Sequence, residues 1–210
     1  LSGSIDNGGF GLTLTGAGNL AFSGSVSGSG DLTKSGAGTL QRTLSAVTLS
    51  GTFTISAGTY DANGLATTVT GLATVSGGTY TASTATQTFN GGLTISSGTF
   101  TGSSGSVDVN GVFTQSAGTV TAPSGTLSVS GGFSRSGGTF THNSGTVELD
   151  GTDQTMTGST TFNNLTKTVT AARTLTFPAS ETQTVAGTLT LKGASGALLS
   201  LLSSTAGTQW

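Results

Sequence analysis

The chain has no cysteine, which removes disulfides, thiolate nucleophiles and cysteine-based metal sites from consideration. Charge is almost as scarce. Only 7% of the 210 residues are Asp, Glu, Lys or Arg, against about 25% in an ordinary soluble domain. With a net charge of −2 there is no basic stripe for nucleic acid or anionic lipid, and neither partner is expected. Long apolar runs are also missing. The stretch from Gly196 to Leu202 is among the longest and falls far short of the roughly 20 residues that cross a bilayer, so membrane insertion is not expected. No basic segment followed by an apolar one opens the chain, so any secretion signal is expected to have been removed or to lie outside this sequence. One Met, one Trp, one His and two Pro, in a chain dominated by Gly, Thr and Ser, leave a composition that favours strands and turns over helices.

What is present is regularity. Gly18, Gly38, Gly58, Gly78, Gly98, Gly118, Gly138 and Gly158 recur every 20 residues, and Gly51, Gly71, Gly91, Gly111, Gly131 and Gly151 form a second series with the same period. A fixed period of this length marks a repeat architecture in which each unit buries its face on its neighbours. The apolar residues follow the same period. Leu20, Leu40, Tyr60, Tyr80, Phe100, Val120 and Phe140 form one column, and Leu49, Val69, Phe89, Val109, Val129, Leu149 and Val169 a second. Phe53, Ala73, Leu93, Phe113 and Phe133 form a third. Within each column the local alternation has a period of two, as in Val107 and Val109 around Asp108 or Val147 and Leu149 around Glu148, the signature of strands with one face inward. Asn90-Gly91, Asn110-Gly111, Ser130-Gly131 and Asp150-Gly151 supply the turn chemistry of the corners.

These observations predict an all-β, single-stranded, right-handed parallel β-helix with three walls and about ten 20-residue coils, the hand following the β-crossover rule. It is expected to form one domain over residues 1–210, with a partial first coil at 1–10, regular coils over 11–170 and less regular terminal coils at 171–210. Asp31, Ala171 and Leu191 stand where the second series would place glycine. Neither end has an evident polar cap, so the terminal coils are expected to pair end to end with further copies or with a continuation of the chain.

Residues Gly28 to Leu40, GSGDLTKSGAGTL, resemble the passenger-associated repeat of bacterial autotransporter adhesins, with the pattern G-x-G-x-L-T-K-x-G-x-G-x-L. TISAGTY from Thr54 to Tyr60 and TISSGTF from Thr94 to Phe100 are similar to the strand-turn-strand part of that family, although the N-T-Y-T-G element that follows its repeat is missing. The resemblance implies a secreted β-helical rod at a bacterial cell surface, serving as a stalk or adhesin with a cell-surface or polysaccharide ligand.

Candidate chemistry is thin. Asp108 and Glu148 share a column two coils apart, with Ser128 between them. The strand spacing separates them by about 10 Å, near the range an inverting glycosidase uses, but both are expected to face solvent, where nothing raises a pKa. Glu148, Asp150 and Asp153 suggest a cation, yet they occur in one coil only. His142 has no second ligand at metal spacing and reads as a corner or surface residue. Arg135 follows Ile55, Val75, Ile95 and Gln115 in an apolar column and precedes Thr155, so it is expected to mark a widening of the wall or to reach outward along its stem. The most regular surface feature is a T-x-T column, Thr79 and Thr81, Thr99 and Thr101, Thr119 and Thr121, Thr139 and Thr141, which resembles ice-binding β-solenoids. Thr54, Thr74, Thr94 and Thr114 repeat on another wall, so threonine is also the ordinary outward residue here. The expectation is a non-enzymatic extracellular structural rod with no cofactor or metal. Ice binding through the T-x-T face is the alternative, and a polysaccharide-active enzyme ranks behind it.

Overall fold

The protein is described by a computed structural model over residues 3–208. Twenty-nine short strands and no helix occur among these residues, and the pairings between strands are parallel. The chain is an all-β parallel solenoid of about nine stacked coils. Three walls carry it: a ten-stranded sheet, an eight-stranded sheet and a seven-stranded sheet, each joining strands from successive coils. At a strand spacing of ~4.8 Å the ten-stranded wall runs for about 43 Å.

The three apolar columns are the inner faces of these walls. Leu40, Tyr60, Tyr80, Phe100 and Val120 pair in register along the seven-stranded wall, and all are buried. Leu49, Val69, Phe89, Val109, Val129 and Leu149 do the same on the eight-stranded wall. Phe53, Ala73, Leu93, Phe113 and Phe133 do so on the ten-stranded wall. Aromatic rings stack along the axis, Tyr60 on Tyr80 at 5.1 Å, Tyr80 on Phe100 at 5.2 Å and Phe113 on Phe133 at 4.9 Å between centroids. Such ring pairs add to the burial of apolar area that holds coil on coil.

Glycine at the corners is a packing requirement. A Cβ on Gly38 would stand 2.1 Å from the Gly18 carbonyl oxygen, and one on Gly98 would meet the Gly78 oxygen at the same 2.1 Å. Backbone stacks on backbone there with no room for a side chain.

The period is less strict than the glycine columns suggest. Leu32 pairs with Phe53, a step of 21, so Gly30 rather than Asp31 lies beneath Gly51. The series therefore does not lose its glycine, because one extra residue enters that coil. After residue 149 the steps become uneven. Phe133 pairs with Met156, Thr146 with Asn164, Leu165 with Leu189 and Arg173 with Leu199. Val169 is therefore not in the Leu149 column, and Thr155 does not follow Arg135. Lys167 takes the first place and Gly158 the second, so Gly158 belongs to a column other than that of Gly138. The 20-residue coils end near Leu149 instead of continuing to 170.

Candidate functional site

The eight threonines of the T-x-T column lie in one array on the seven-stranded wall. Thr79, Thr99, Thr119 and Thr139 pair in sequence, as do Thr81, Thr101, Thr121 and Thr141, while Tyr80, Phe100, Val120 and Phe140 turn inward between them. Thr139 and Thr141 are exposed and the other six half-buried. Thr39 and Thr59 extend the first row, whereas Gln41 and Asp61 replace threonine in the second and hydrogen-bond to each other at 2.8 Å. The ten-stranded wall carries a longer single row, Thr13, Thr33, Thr54, Thr74, Thr94 and Thr114, continued by Ser134 and Thr157. The two threonines at its start were hidden from a strict 20-residue search by the extra residue between Leu32 and Phe53.

The eight-stranded wall is the acidic one. Asp108, Ser128 and Glu148 are neighbours in one row. The Ser128 and Ser130 hydroxyls donate to the two oxygens of Asp150 at 2.7 and 2.8 Å. Contrary to the expectation of unperturbed carboxylates, the Asp108 carboxyl is pushed up, first by partial burial and then by the negative charge of Asp150. The row is half-exposed rather than fully solvated, and this difference produces the shift. Among the described residues no group of three or more His, Asp or Glu is placed to hold a metal ion. Asp153 is engaged elsewhere, accepting the Thr174 N–H at 2.8 Å. His142 sits in the corner after Thr139–Thr141, where its Nδ1 accepts the Ser144 N–H at 3.1 Å.

The sequence reading missed the interior cations. Lys34, Arg42 and Lys167 have relative exposures of 4%, 2% and 0%. Lys167 Nζ donates to the carbonyls of Leu149, Gly151 and Thr152 at 3.3, 3.0 and 3.1 Å and to Gln154 Oε1 at 2.5 Å. Arg42 reaches the Gly24 and Ser45 carbonyls at 2.8 and 3.0 Å and lies over the Phe22 ring. Lys34 donates to the Gly36 and Ala57 carbonyls. Burial lowers the pKa of all three, and for Lys167 the charges of Asp150 and Asp153 oppose the shift. Arg135 belongs to the same class. It is half-buried, and instead of reaching into solvent it bonds Gln115 Oε1, the Gly138 and Ser159 carbonyls and Thr160 Oγ1 while covering the Phe140 ring. Neutral side chains do equivalent work in other coils. Gln87 accepts the Tyr80 hydroxyl at 2.6 Å and donates to the Leu65 and Ala85 carbonyls, and Tyr60 shares a 2.7 Å hydrogen bond with Thr67. Four of the six basic residues thus serve corner carbonyls, leaving Arg173 and Lys192 as the remaining cations against eight acids. The exterior is more acidic than the net charge suggests.

An apolar opening of about 280 Å³ at the last coils is lined by Leu165, Phe177, Val185, Leu189 and Leu191 with Glu181 and Gln183. Asp108, Glu148 and Asp150 are not part of it. Among the described residues no helix is long and apolar enough to cross a membrane. Comparison of the chain with protein-family models, curated proteins and solved structures gives no match. The class defined by the geometry is a rod-like β-solenoid.

Proposed function

We propose that the chain is a non-enzymatic structural rod of an extracellular, surface-displayed protein, a stalk or adhesin segment of the autotransporter-passenger kind. The observation that carries this reading is the use of polar chemistry. Lys34, Arg42, Gln87 and Lys167 reach corner carbonyls from inside the rod, and the outer rows of the seven- and ten-stranded walls carry mainly short hydroxyls. Apolar layers at both ends support stacking against further coils. Ile5, Leu12, Leu14, Leu20 and Val26 lie at one end, and Val185, Leu191, Leu199 and Leu201 at the other, all only partly covered. The partner at those faces is a continuation of the chain or a second copy added head to tail, a contact that propagates without closing.

Antibody labelling of intact producing cells, paired with electron microscopy of the purified chain, tests this reading. Surface labelling and rods that lengthen with concentration are expected. Labelling that requires permeabilised cells overturns the extracellular part. Ice binding is the second reading, favoured by the two paired rows across four strands of the T-x-T face. It requires inhibition of ice recrystallisation that Thr101→Lys and Thr121→Lys abolish.

A further inference from the structure

Four corners have the sequence Asn-Gly, at Asn7-Gly8, Asn63-Gly64, Asn90-Gly91 and Asn110-Gly111. We infer that Asn90 is a site of spontaneous covalent modification, where the Gly91 nitrogen closes on the Asn90 side chain to form a succinimide that hydrolyses to aspartate and isoaspartate. The Gly91 nitrogen attacks Asn90 Cγ, a C–N bond forms, and the Cγ–Nδ2 bond breaks. Ammonia departs with the proton lost from the Gly91 nitrogen, and water then opens the ring. No oxidant or other co-reactant takes part.

The structure separates the four candidates. At the first corner the Gly8 N–H is held by Asp6 Oδ1 at 2.9 Å, so the nucleophile is occupied. At the second, Asn63 Nδ2 donates to the Arg42 carbonyl at 2.7 Å, which holds the leaving group in place. Asn110 Nδ2 is held as well, because it donates to Asn90 Oδ1 at 2.8 Å. That same bond has the opposite effect on Asn90. It places a donor on the oxygen that becomes negative when the nitrogen adds, as an oxyanion hole does. Among the described residues neither the Gly91 N–H nor Asn90 Nδ2 has a hydrogen-bond partner, so nucleophile and leaving group are both free. Asn90 and Gly91 are exposed, which admits the water that opens the ring. Gly92, the next residue, has φ +105 and gives the corner a backbone that no other residue type adopts readily.

The product matters to the rod. Asn90 and Asn110 stand one coil apart on the acidic wall, in the corner row that continues to Ser130 and Asp150. Aspartate at 90 adds a charge there. Isoaspartate inserts a main-chain methylene into a corner whose coil length sets the register of the strands that follow.

The test is incubation of the purified chain at about pH 8 and 37 °C, with peptide mapping by mass spectrometry for the gain of about 1 Da that replacing an amide by a carboxyl produces. Asn90 is expected to convert about fivefold faster than Asn7, Asn63 or Asn110, a rate factor of the size one net hydrogen bond supplies. Asn110→Ala removes the donor to Asn90 Oδ1 and should slow Asn90 by a similar factor without changing Asn63. The preference should disappear in concentrated urea. Equal rates at the four sites in the folded protein, an unchanged Asn90 rate in the Asn110→Ala variant, or the same ranking in urea each overturn the inference.

Discussion

Replacing Lys167 with methionine keeps the side chain close to its length and removes its donors together with its charge, so the variant reads the net value of an ammonium enclosed by oxygens. Three carbonyls and the Gln154 side-chain oxygen lose their shared partner. At about 1 kcal/mol for each acceptor left without a partner, the folded protein should lose about 3 to 5 kcal/mol. Removing the cost of burying the charge brings the value toward the lower end of that range. For a chain of this size the loss corresponds to about 10 °C in Tm. Solenoids open locally, so the assay should combine thermal melts with amide exchange over residues 129–175, where the enclosing carbonyls and their neighbours lie. The pH dependence supplies an independent check. The folded pKa of Lys167 lies below its unfolded value, so the unfolded chain binds more protons in the window between the two. The burial cost is present in full below the folded pKa and fades as pH rises toward 10.5. Wild-type stability should therefore improve relative to the Lys167→Met variant through the alkaline range. A variant within about 0.5 kcal/mol of wild type at neutral pH refutes the argument that Lys167 holds the corner.

Three further outcomes follow from other coils. The chain has two tyrosines, both buried; Tyr60 is pushed up to about 12 and Tyr80 well above its usual value, in each case first by burial. Absorbance titration should show no tyrosinate near pH 10 until the protein unfolds, stability should fall as pH rises beyond that point, and an early inflection would count against the packing. Gly38→Ala should cost about 2 kcal/mol or more because its Cβ meets the Gly18 carbonyl, whereas Gly18→Ala, with nothing within 4 Å, should be nearly neutral by the same melt. Asp108→Asn should stabilise the protein at neutral pH by less than about 1 kcal/mol, since half-exposed charges are well screened. That gain should vanish as pH falls through the raised carboxylate pKa, and a loss of stability at neutral pH would contradict the shift attributed to burial and Asp150.

The walls were legible in the sequence because inward apolar residues and corner glycines repeat in one register from Phe53 to Leu149, and parallel stacking forces equivalent residues into contact. Register failed wherever a coil gained or lost residues. One extra residue before Phe53 hid Thr13 and Thr33 from the threonine row, and the uneven coils after Leu149 led to the misplacement of Val169 and Thr155. A glycine series can continue through such a break by coincidence, as Gly158 does, since a chain with 36 glycines has many near any position. The T-x-T face was readable because it lies in the coils of constant length. The shift at Asp108 was not, because it depends on partial burial and on Asp150 in a neighbouring column.

The interior cations and the register breaks occur together. Where steps of 20 hold, between Phe53 and Phe133, the corner carbonyls are met by neutral groups, among them Gln87 and Gln115. Lys34 and Arg42 lie in the coil beside the step of 21, while Arg135, Gln154 and Lys167 surround the step of 23 between Phe133 and Met156. The corner carbonyls beside these steps are met by side-chain donors, and a buried acceptor without a donor is costly. A long side chain with several donors restores the balance from inside the rod, and lysine or arginine does so with more donors than glutamine. The charge sits beside carbonyl oxygens rather than carboxylates, so it adds no surface charge and leaves the outer faces to short hydroxyls. In this chain the inward-facing Lys34 and Lys167 pair across steps of 21 and 24, a signal that the glycine columns alone do not carry.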